Sequence, residues 1–387
     1  MSDENAPIQS VAVEPVKPPR KRSWRFLQRD DWIVVGWVMA IKVLVFVLAI
    51  KSYPIFWDRY LKSPRQWFDI WNHWDAVHYR QIAQFGYAAT GVTKSFYPLF
   101  PWSVRVVAYI TGSYLTAGFI VSGIASIVAA VVLRRLVRLD YTPRVAMRSA
   151  WFFLIFPTAY FLHIGYSESL FLALALACIL AARIERWWLA GVLGALCWMT
   201  RAPGAVLIPT LAVEATQQYW TKRRWNWQWL WIAIVPAGFA VYLLINWHVA
   251  GDPFAFLQTR KTLFVQSFAP PWHGIREAIL NMRRTPNQAE MIGAQEVYFS
   301  ALGLICTIIS WIKLRPLYAA WMTGSWLLFT SVTFLQSVPR YTLTMFPIFI
   351  LLALLARNRF WNGVLTMWSL AWFTFFTILL ARGWWGF

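Results

Sequence analysis

Five polar clusters interrupt an otherwise apolar chain, and they carry the residue types that acid–base and phosphate chemistry require. The densest is "QWFDIWNHWDAVHYRQIAQFGY", with Asp69, Asp75, His78 and Arg80 inside three helical turns. On a helix, Asp75 and His78 are three residues apart and share a face. Asp75 lies between Trp74 and Ala76, an apolar setting suited to a carboxylate that takes a proton from a hydroxyl. The same spacing also describes an interfacial helix whose Asp and His face water. The second cluster, "FPTAYFLHIGYSESLF", carries His163, Tyr166, Ser167, Glu168 and Ser169 at a turn between apolar runs. In the third, "CWMTRAPGAVL", Arg201 stands alone among apolar residues. A buried guanidinium keeps its charge, so Arg201 needs an anion: a carboxylate such as Glu168, or a phosphate. The fourth, "QSVPRYTLTMFP", holds Arg340 and Tyr341, and the fifth holds Arg260, Lys261, "APPWHG" with Trp272, and Arg276.

A carboxylate base and several arginines facing one membrane cavity suit a substrate linked to a lipid phosphate. The arginines hold and stabilise a phosphate leaving group, and the carboxylate deprotonates the acceptor. Metal-ligand spacing such as HExxH is missing, and His73, His78, His163, His248 and His273 are dispersed, so no metal site is predicted. No P-loop or GxGxxG points to a cytosolic nucleotide.

The elements that must position these clusters are membrane helices. Of 387 residues, 59% are hydrophobic, 18% aromatic and 13% charged, and mean hydropathy is +0.48. A soluble domain carries about 25% charged residues, so a cytosolic enzyme, a secreted disulfide scaffold and a disordered chain are excluded. Cys178, Cys197 and Cys306 all lie in apolar runs without CxxC spacing. The net charge of +20 sits mostly between apolar runs, which assigns it to topology and anionic lipid rather than to nucleic acid.

Residues 1–31 read as a basic, disordered cytoplasmic arm, and 32–387 as one transmembrane domain. The positive-inside trend then gives about eleven transmembrane helices with the C-terminus outside. The predicted spans are 32–50, 114–133, 152–165, 170–182, 187–199, 203–215, 229–249, 297–312, 317–335, 341–355 and 361–380. Run 96–110, which contains Arg105, reads as a partly embedded helix on the outer face. Two long extracytoplasmic loops remain, 51–113 and 250–296, the first with Trp-rich interfacial helices containing Trp57, Trp67, Trp71 and Trp74. No fixed-period repeat and no matched pair of broken helices is visible, which weakens a transporter reading.

"HWDAVHYRQIAQFGY" with "SFYPLFP", then "FPTAYFLHIGYSESLFLAL", "TRAPG", "APPW" and "PRYTLTMFPIFILLA" together resemble, in order, the motifs of the PIG-V family. That is the GPI mannosyltransferase 2 group of the GT-C glycosyltransferases. The resemblance implies an all-α, polytopic GT-C-type membrane protein, a polyprenyl- or dolichyl-phosphate mannose donor, and a catalytic acid in the first outer loop. It carries the acid to Asp75, with Asp69 as the alternative catalytic or acceptor-orienting carboxylate. It places Arg201 and Arg340, with Tyr341, at the donor phosphate. His78, His163, Tyr166, Glu168, Trp74 and Trp272 would line the substrate cavity. The family often carries an acid where this chain has "AATGVTK", so a metal or acceptor contact from that position is in doubt. The basic N-terminal arm favours a prokaryotic homologue in the plasma membrane.

The function expected is mannose transfer from a polyprenyl-phosphate donor to an extracytoplasmic glycolipid or glycan, by inverting single displacement. A lipid-linked sugar flippase is the alternative, since it would use the arginines without a base. A membrane scaffold with a degenerate site is the third reading.

Overall fold

The computed structural model describes residues 27–57, 60–284 and 286–386. Most of the expected basic arm lies outside these residues; its last stretch, from Arg29, is already helical.

The architecture is all-α. Helix α1 (Arg29–Trp57) runs straight through the first apolar stretch and seven residues past residue 50. Two short helices follow in the first long loop, α2 (Pro64–Asp69) and α3 (Asp75–Phe85). Ser63 starts α2 with a capping box, its side chain accepting from Gln66 N while Gln66 reaches back, a device that satisfies two orphan amides at once. Run 96–110 contains helix α4 (Leu99–Thr111), which carries Arg105. Arg105 donates to the carbonyls of Ala83 at 2.5 Å and Ile82 at 3.1 Å. Its charge therefore caps the last turn of α3 rather than crossing a membrane.

Helices α5 (Tyr114–Val137), α6 (Pro143–Ile155), α7 (Glu168–Arg183) and α8 (Trp187–Trp198) form the packed centre. Run 152–165 is not one helix: α6 stops at Ile155, and Phe156 turns extended before Pro157, since a residue ahead of proline is pushed out of the α region. A 3₁₀ turn (Ala159–Leu162) follows and delivers the polar cluster to the start of α7.

Helices α9 (Leu207–Lys222), α10 (Ala237–Ala250), α11 (Ala255–Leu263), α12 (Pro271–Arg284), α13 (Pro286–Lys313), α14 (Pro316–Thr330), α15 (Val338–Thr344), α16 (Pro347–Leu355) and α17 (Arg359–Ala381) complete the chain. Five helices among the described residues are long and apolar enough to cross a bilayer, or six if the bent pair α15–α16 is one span. That pair turns by 82°. Pro347 opens the second half, and proline supplies no amide to continue the first. The other runs read as spans contain shorter helices, α6 to α9 among them.

Basic residues at the ends of α5 and α7 are held by carboxylates. Arg134 is 2% exposed and meets Asp31 at 2.5 Å, and Arg135 meets the same carboxylate at 2.8 Å. Arg183 pairs with Asp140 at 2.7 Å, while Glu214 receives Arg315 at 3.0 Å. These arginines act as structural links between helix ends, a role that hydropathy and charge position do not reveal.

Candidate active site

Two loops distant in sequence are laced together beside the bundle. Thr333 N donates to Ser267 O at 2.9 Å, Ala269 N to Ser331 O at 3.2 Å, and Gln266 Nε2 to Phe334 O at 3.2 Å. The bonds join the α11–α12 connection to the α14–α15 connection. Gly274, at the start of α12, lies so close to the Val332 carbonyl that a side chain there would collide with it.

The laced loops close one side of a cavity of about 190 Å³. Asp75, Ser95, Tyr97, Arg201, Arg260, Arg340, Tyr341 and Trp385 are among its lining residues. Each charged group arrives on a different element. Asp75 is the first residue of α3, Arg201 immediately precedes a 3₁₀ turn (Ala202–Val206), Arg260 is on α11 and Arg340 on α15.

Arg340 Nη1 meets Asp75 Oδ2 at 2.6 Å, and its Nε donates to Glu168 Oε1. Arg201 Nη1 reaches the same Glu168 oxygen at 2.5 Å and Ser167 Oγ at 2.9 Å. Tyr79 OH and Ser167 Oγ are 2.7 Å apart. The result is an alternating chain, Arg201–Glu168–Arg340–Asp75. Glu168 is wholly buried, Arg201 and Arg340 nearly so, while the Asp75 side chain is 29% exposed. Glu168 Oε2, Arg201 Nε and Arg340 Nη2 are buried without a hydrogen-bond partner. Such atoms cost free energy where nothing satisfies them. The Arg340 guanidinium also lies over Phe161 and Tyr166, 4.7 and 4.9 Å from the ring centres, and Arg201 lies 5.6 Å from the centre of Tyr341. Aromatic faces favour such cations.

The backbone around Asp75 is unusual. Trp74 adopts φ 51° and ψ −125°, a conformation that costs a non-glycine residue of order 1–3 kcal/mol and concentrates at functional sites. Trp385 packs edge-on against the Trp74 ring, centroids 4.9 Å apart. Tyr160 OH donates to Gly386 O and pins that segment. At the far side, Glu296 receives the amides of Ser337 and Val338, both at 2.7 Å. Its buried carboxylate so fixes the start of α15, one turn before Arg340. Around the cavity, burial pushes the Tyr97 hydroxyl up to about 12 and raises that of Tyr79 further, so both remain hydrogen donors. Burial lowers His73 below the ordinary histidine value.

Of the residues predicted from the sequence, Asp75, Arg201, Arg340, Tyr341 and Glu168 come together. Tyr166 supports the group from below, its hydroxyl donating to His73 O at 2.8 Å. Trp74 stands beside the cavity wall through Trp385. Asp69 does not reach the cavity; it ends α2, half exposed, 3.9 Å from Arg65. His78 turns to the Phe96 ring, 5.3 Å away, and not to Asp75. His163 is wholly buried away from the cavity, and Trp272 is 74% exposed. Among the described residues no group of three His, Cys, Asp or Glu is placed to hold a metal ion. Sequence reasoning missed Tyr79, Glu296 and Trp385. Glu296 carried a signal, as an acid at the edge of an apolar run. Tyr79 and Trp385 carried none, because the chain holds 15 Tyr and 27 Trp.

Comparison with known proteins adds a decisive observation: the sequence model described as Mannosyltransferase (PIG-V) matches residues 45–245. The chain belongs to the Mannosyltransferase (PIG-V) family. The matched PIG-V region contains Asp75, Glu168 and Arg201, whereas Arg260 and Arg340 lie beyond it and join the site only in three dimensions. No curated protein matches the chain. Among solved structures, ArnT from Cupriavidus metallidurans bound to undecaprenyl phosphate is similar over 85% of this chain and 62% of that one, at 15% identity and TM-score 0.51. The Archaeoglobus fulgidus oligosaccharyltransferase in complex with Zn and sulfate is similar over 89% of this chain and 53% of that one, at 14% identity and TM-score 0.42. The chain thus spans less than two thirds of the length of these proteins. The likeness to ArnT is one of fold: this PIG-V protein is an all-helical, polytopic integral membrane protein.

Proposed function

We propose that the protein transfers mannose from a polyprenyl-phosphate donor to a hydroxyl of an extracytoplasmic glycolipid or glycan. The observation that carries the reading is a cavity walled jointly by one carboxylate, Asp75, and three arginines, Arg201, Arg260 and Arg340, in a chain of the PIG-V family. A base beside cations is the set that displacement of a phosphate from a sugar requires.

Arg340 engages Oδ2 of Asp75, fixing the carboxylate and leaving Oδ1 for the acceptor. The acceptor hydroxyl gives its proton to Asp75 as its oxygen attacks the anomeric carbon. The bond from that carbon to the phosphate oxygen breaks, and its electrons leave with the lipid phosphate. Attack opposite the leaving group inverts the centre, so a β-linked donor gives an α-mannoside. Positioning and charge stabilisation supply the rate.

The cavity belongs to the extracytoplasmic face in this reading. Helix α7 starts in the site at Glu168 and ends at Arg183 after 16 residues, roughly 24 Å of helix. Arg183, and Arg134 and Arg135 at the end of α5, accord with a cytoplasmic end. The donor tail would enter sideways from the outer leaflet of a prokaryotic plasma membrane.

The test is transfer by the purified chain in lipid nanodiscs, given polyprenyl-phosphate [¹⁴C]mannose and a lipid extract of the host, beside Asp75→Asn. Label should move into a new α-mannoside with the unaltered chain only, a loss of about 10³-fold or more for a missing general base. Donor that is bound and translocated with its sugar–phosphate bond intact would replace this reading with that of a lipid-linked sugar flippase.

A further inference from the structure

The four-residue chain in the site is electrically closed. Arg201 and Arg340 share the Glu168 carboxylate, and Arg340 also holds Asp75. Two cations face two anions, so this group brings no surplus charge to a phosphate that enters beside it. Arg260 is different. It lines the same cavity, and among the described residues no carboxylate pairs with it. Its side-chain partner is the neutral amide of Gln266, Nη2 to Oε1 at 3.2 Å.

The chain is folded to hold Arg260 in this state. After α11 the backbone reverses, with Phe264 N and Gln266 N both donating to Arg260 O at 3.1 Å. The reversal places Val265 at φ 54°, which a β-branched residue adopts only under constraint. Gln266 is then fixed from its other end by Phe334 O. An amide held at both ends aligns the guanidinium without neutralising it.

We infer that Arg260, and not the Arg201–Arg340 pair, is the residue that binds the lipid phosphate of the resting donor, and that Arg340 becomes available to that phosphate only as Asp75 takes up the acceptor's proton. This rests on the reading of the protein as a lipid-phosphate-dependent transferase. The charges balance at each stage. The donor is a phosphodiester with one negative charge, which matches the single unpaired guanidinium. When the sugar–phosphate bond breaks, the leaving group becomes a monoester and gains a second charge. The proton released by the acceptor neutralises Asp75 at that moment, and Arg340 loses half of its counter-charge. A cation freed in step with the charge that develops stabilises the transition state more than the ground state, the property that raises turnover. Arg260, charged throughout, contributes to binding in both states and governs affinity.

The test measures binding of radiolabelled undecaprenyl phosphate and of undecaprenol to the full chain in nanodiscs, for the unaltered protein, Arg260→Gln and Arg260→Lys. Loss of one charge-assisted contact predicts undecaprenyl phosphate affinity about 10- to 100-fold weaker in Arg260→Gln, with Arg260→Lys between the two. Undecaprenol binding should be unchanged in all three, which also reports that each variant is folded. In transfer assays the donor KM should rise with Arg260→Gln while kcat changes by a few-fold at most. Equal undecaprenyl phosphate affinity in the unaltered protein and both variants would overturn the inference and leave the transferase reading standing. If the unaltered protein does not distinguish undecaprenyl phosphate from undecaprenol, the lipid-phosphate reading itself fails. If inorganic phosphate displaces the label as effectively as the lipid does, Arg260 recognises a soluble phosphate and the lipid-linked donor is overturned.

Discussion

The Asp75 carboxylate meets the Arg340 guanidinium at 2.6 Å, although 265 residues of chain separate them. Arg340 reaches it while already holding Glu168. The contact ties the first long loop to the bent helix pair near the C-terminus, and each residue limits what the other can do.

Glu168 is the hub, so its loss should cost more than the loss of hub and partner together. Glu168→Gln leaves two buried guanidinium groups short of a counter-charge, and breaking a buried pair from one side costs about 3–5 kcal/mol. The double variant Glu168→Gln with Arg201→Gln removes one of those charges and should recover part of that stability. Thermal unfolding in detergent reads both; a double variant less stable than the single would contradict the balanced-chain account.

Glu296 never enters the cavity, yet it sets the start of α15 by accepting from Ser337 and Val338. Glu296→Ala strands two buried amides, which cost about 1–3 kcal/mol each, and lets Arg340 drift. Turnover should fall about tenfold or more through that misplacement, while undecaprenol binding is retained. Glu296→Gln, with one carbonyl acceptor, should lie between. Thermal unfolding and transfer kinetics check the order.

Trp385 walls the cavity and packs on the strained Trp74 that precedes Asp75. Trp385→Ala should lower turnover by about tenfold, by releasing a residue held off its preferred backbone region. Trp385→Phe keeps an aromatic edge and should retain most activity. Equal loss in both variants would show that the indole touches substrate directly.

Gly274 admits the Val332 carbonyl where no side chain fits. Gly274→Ala should part the laced loops, with a cost of about 1–3 kcal/mol from overpacking and faster amide exchange in residues 266–269 and 331–334. Unchanged exchange there would mean that the lacing does not depend on this approach.

His73 gives a pH dependence with a defined sign. Burial lowers its pKa from the ordinary 6.5, so below that value the unfolded chain binds more protons than the folded one. Stability therefore falls as pH drops through 6.5 and levels off below the folded value. The acid loss should be smaller in His73→Gln, measured as melting temperature from pH 7.5 to 5. The same slope in both proteins would assign the loss to other groups.

The sequence by itself determined the class of molecule. A chain with 13% charged residues can satisfy its backbone in a membrane only as helices or a closed barrel. Continuous apolar runs along its length, rather than the alternation of barrel strands, select helices, and the structure is all-α. It also named Asp75, Glu168, Arg201 and Arg340 as candidates, because each is an ionisable group whose placement among apolar residues is costly unless compensated. The PIG-V motifs around them are local strings, and local strings survive reading in one dimension. Tertiary structure decided who compensates whom. Arg201 and Glu168, considered as partners from charge alone, do meet, but Glu168 also receives Arg340, which in turn holds Asp75. Asp69 and Asp75 lie six residues apart in one polar stretch, yet only Asp75 opens α3 into the cavity, because the chain turns sharply at Trp74. Arg260 reads as one more loop cation in the sequence. Among the described residues it has no counter-ion, a state that exists only once the folded chain has paired Asp75, Glu168, Arg201 and Arg340 with one another, since Coulomb energy depends on distance through space and not along the chain.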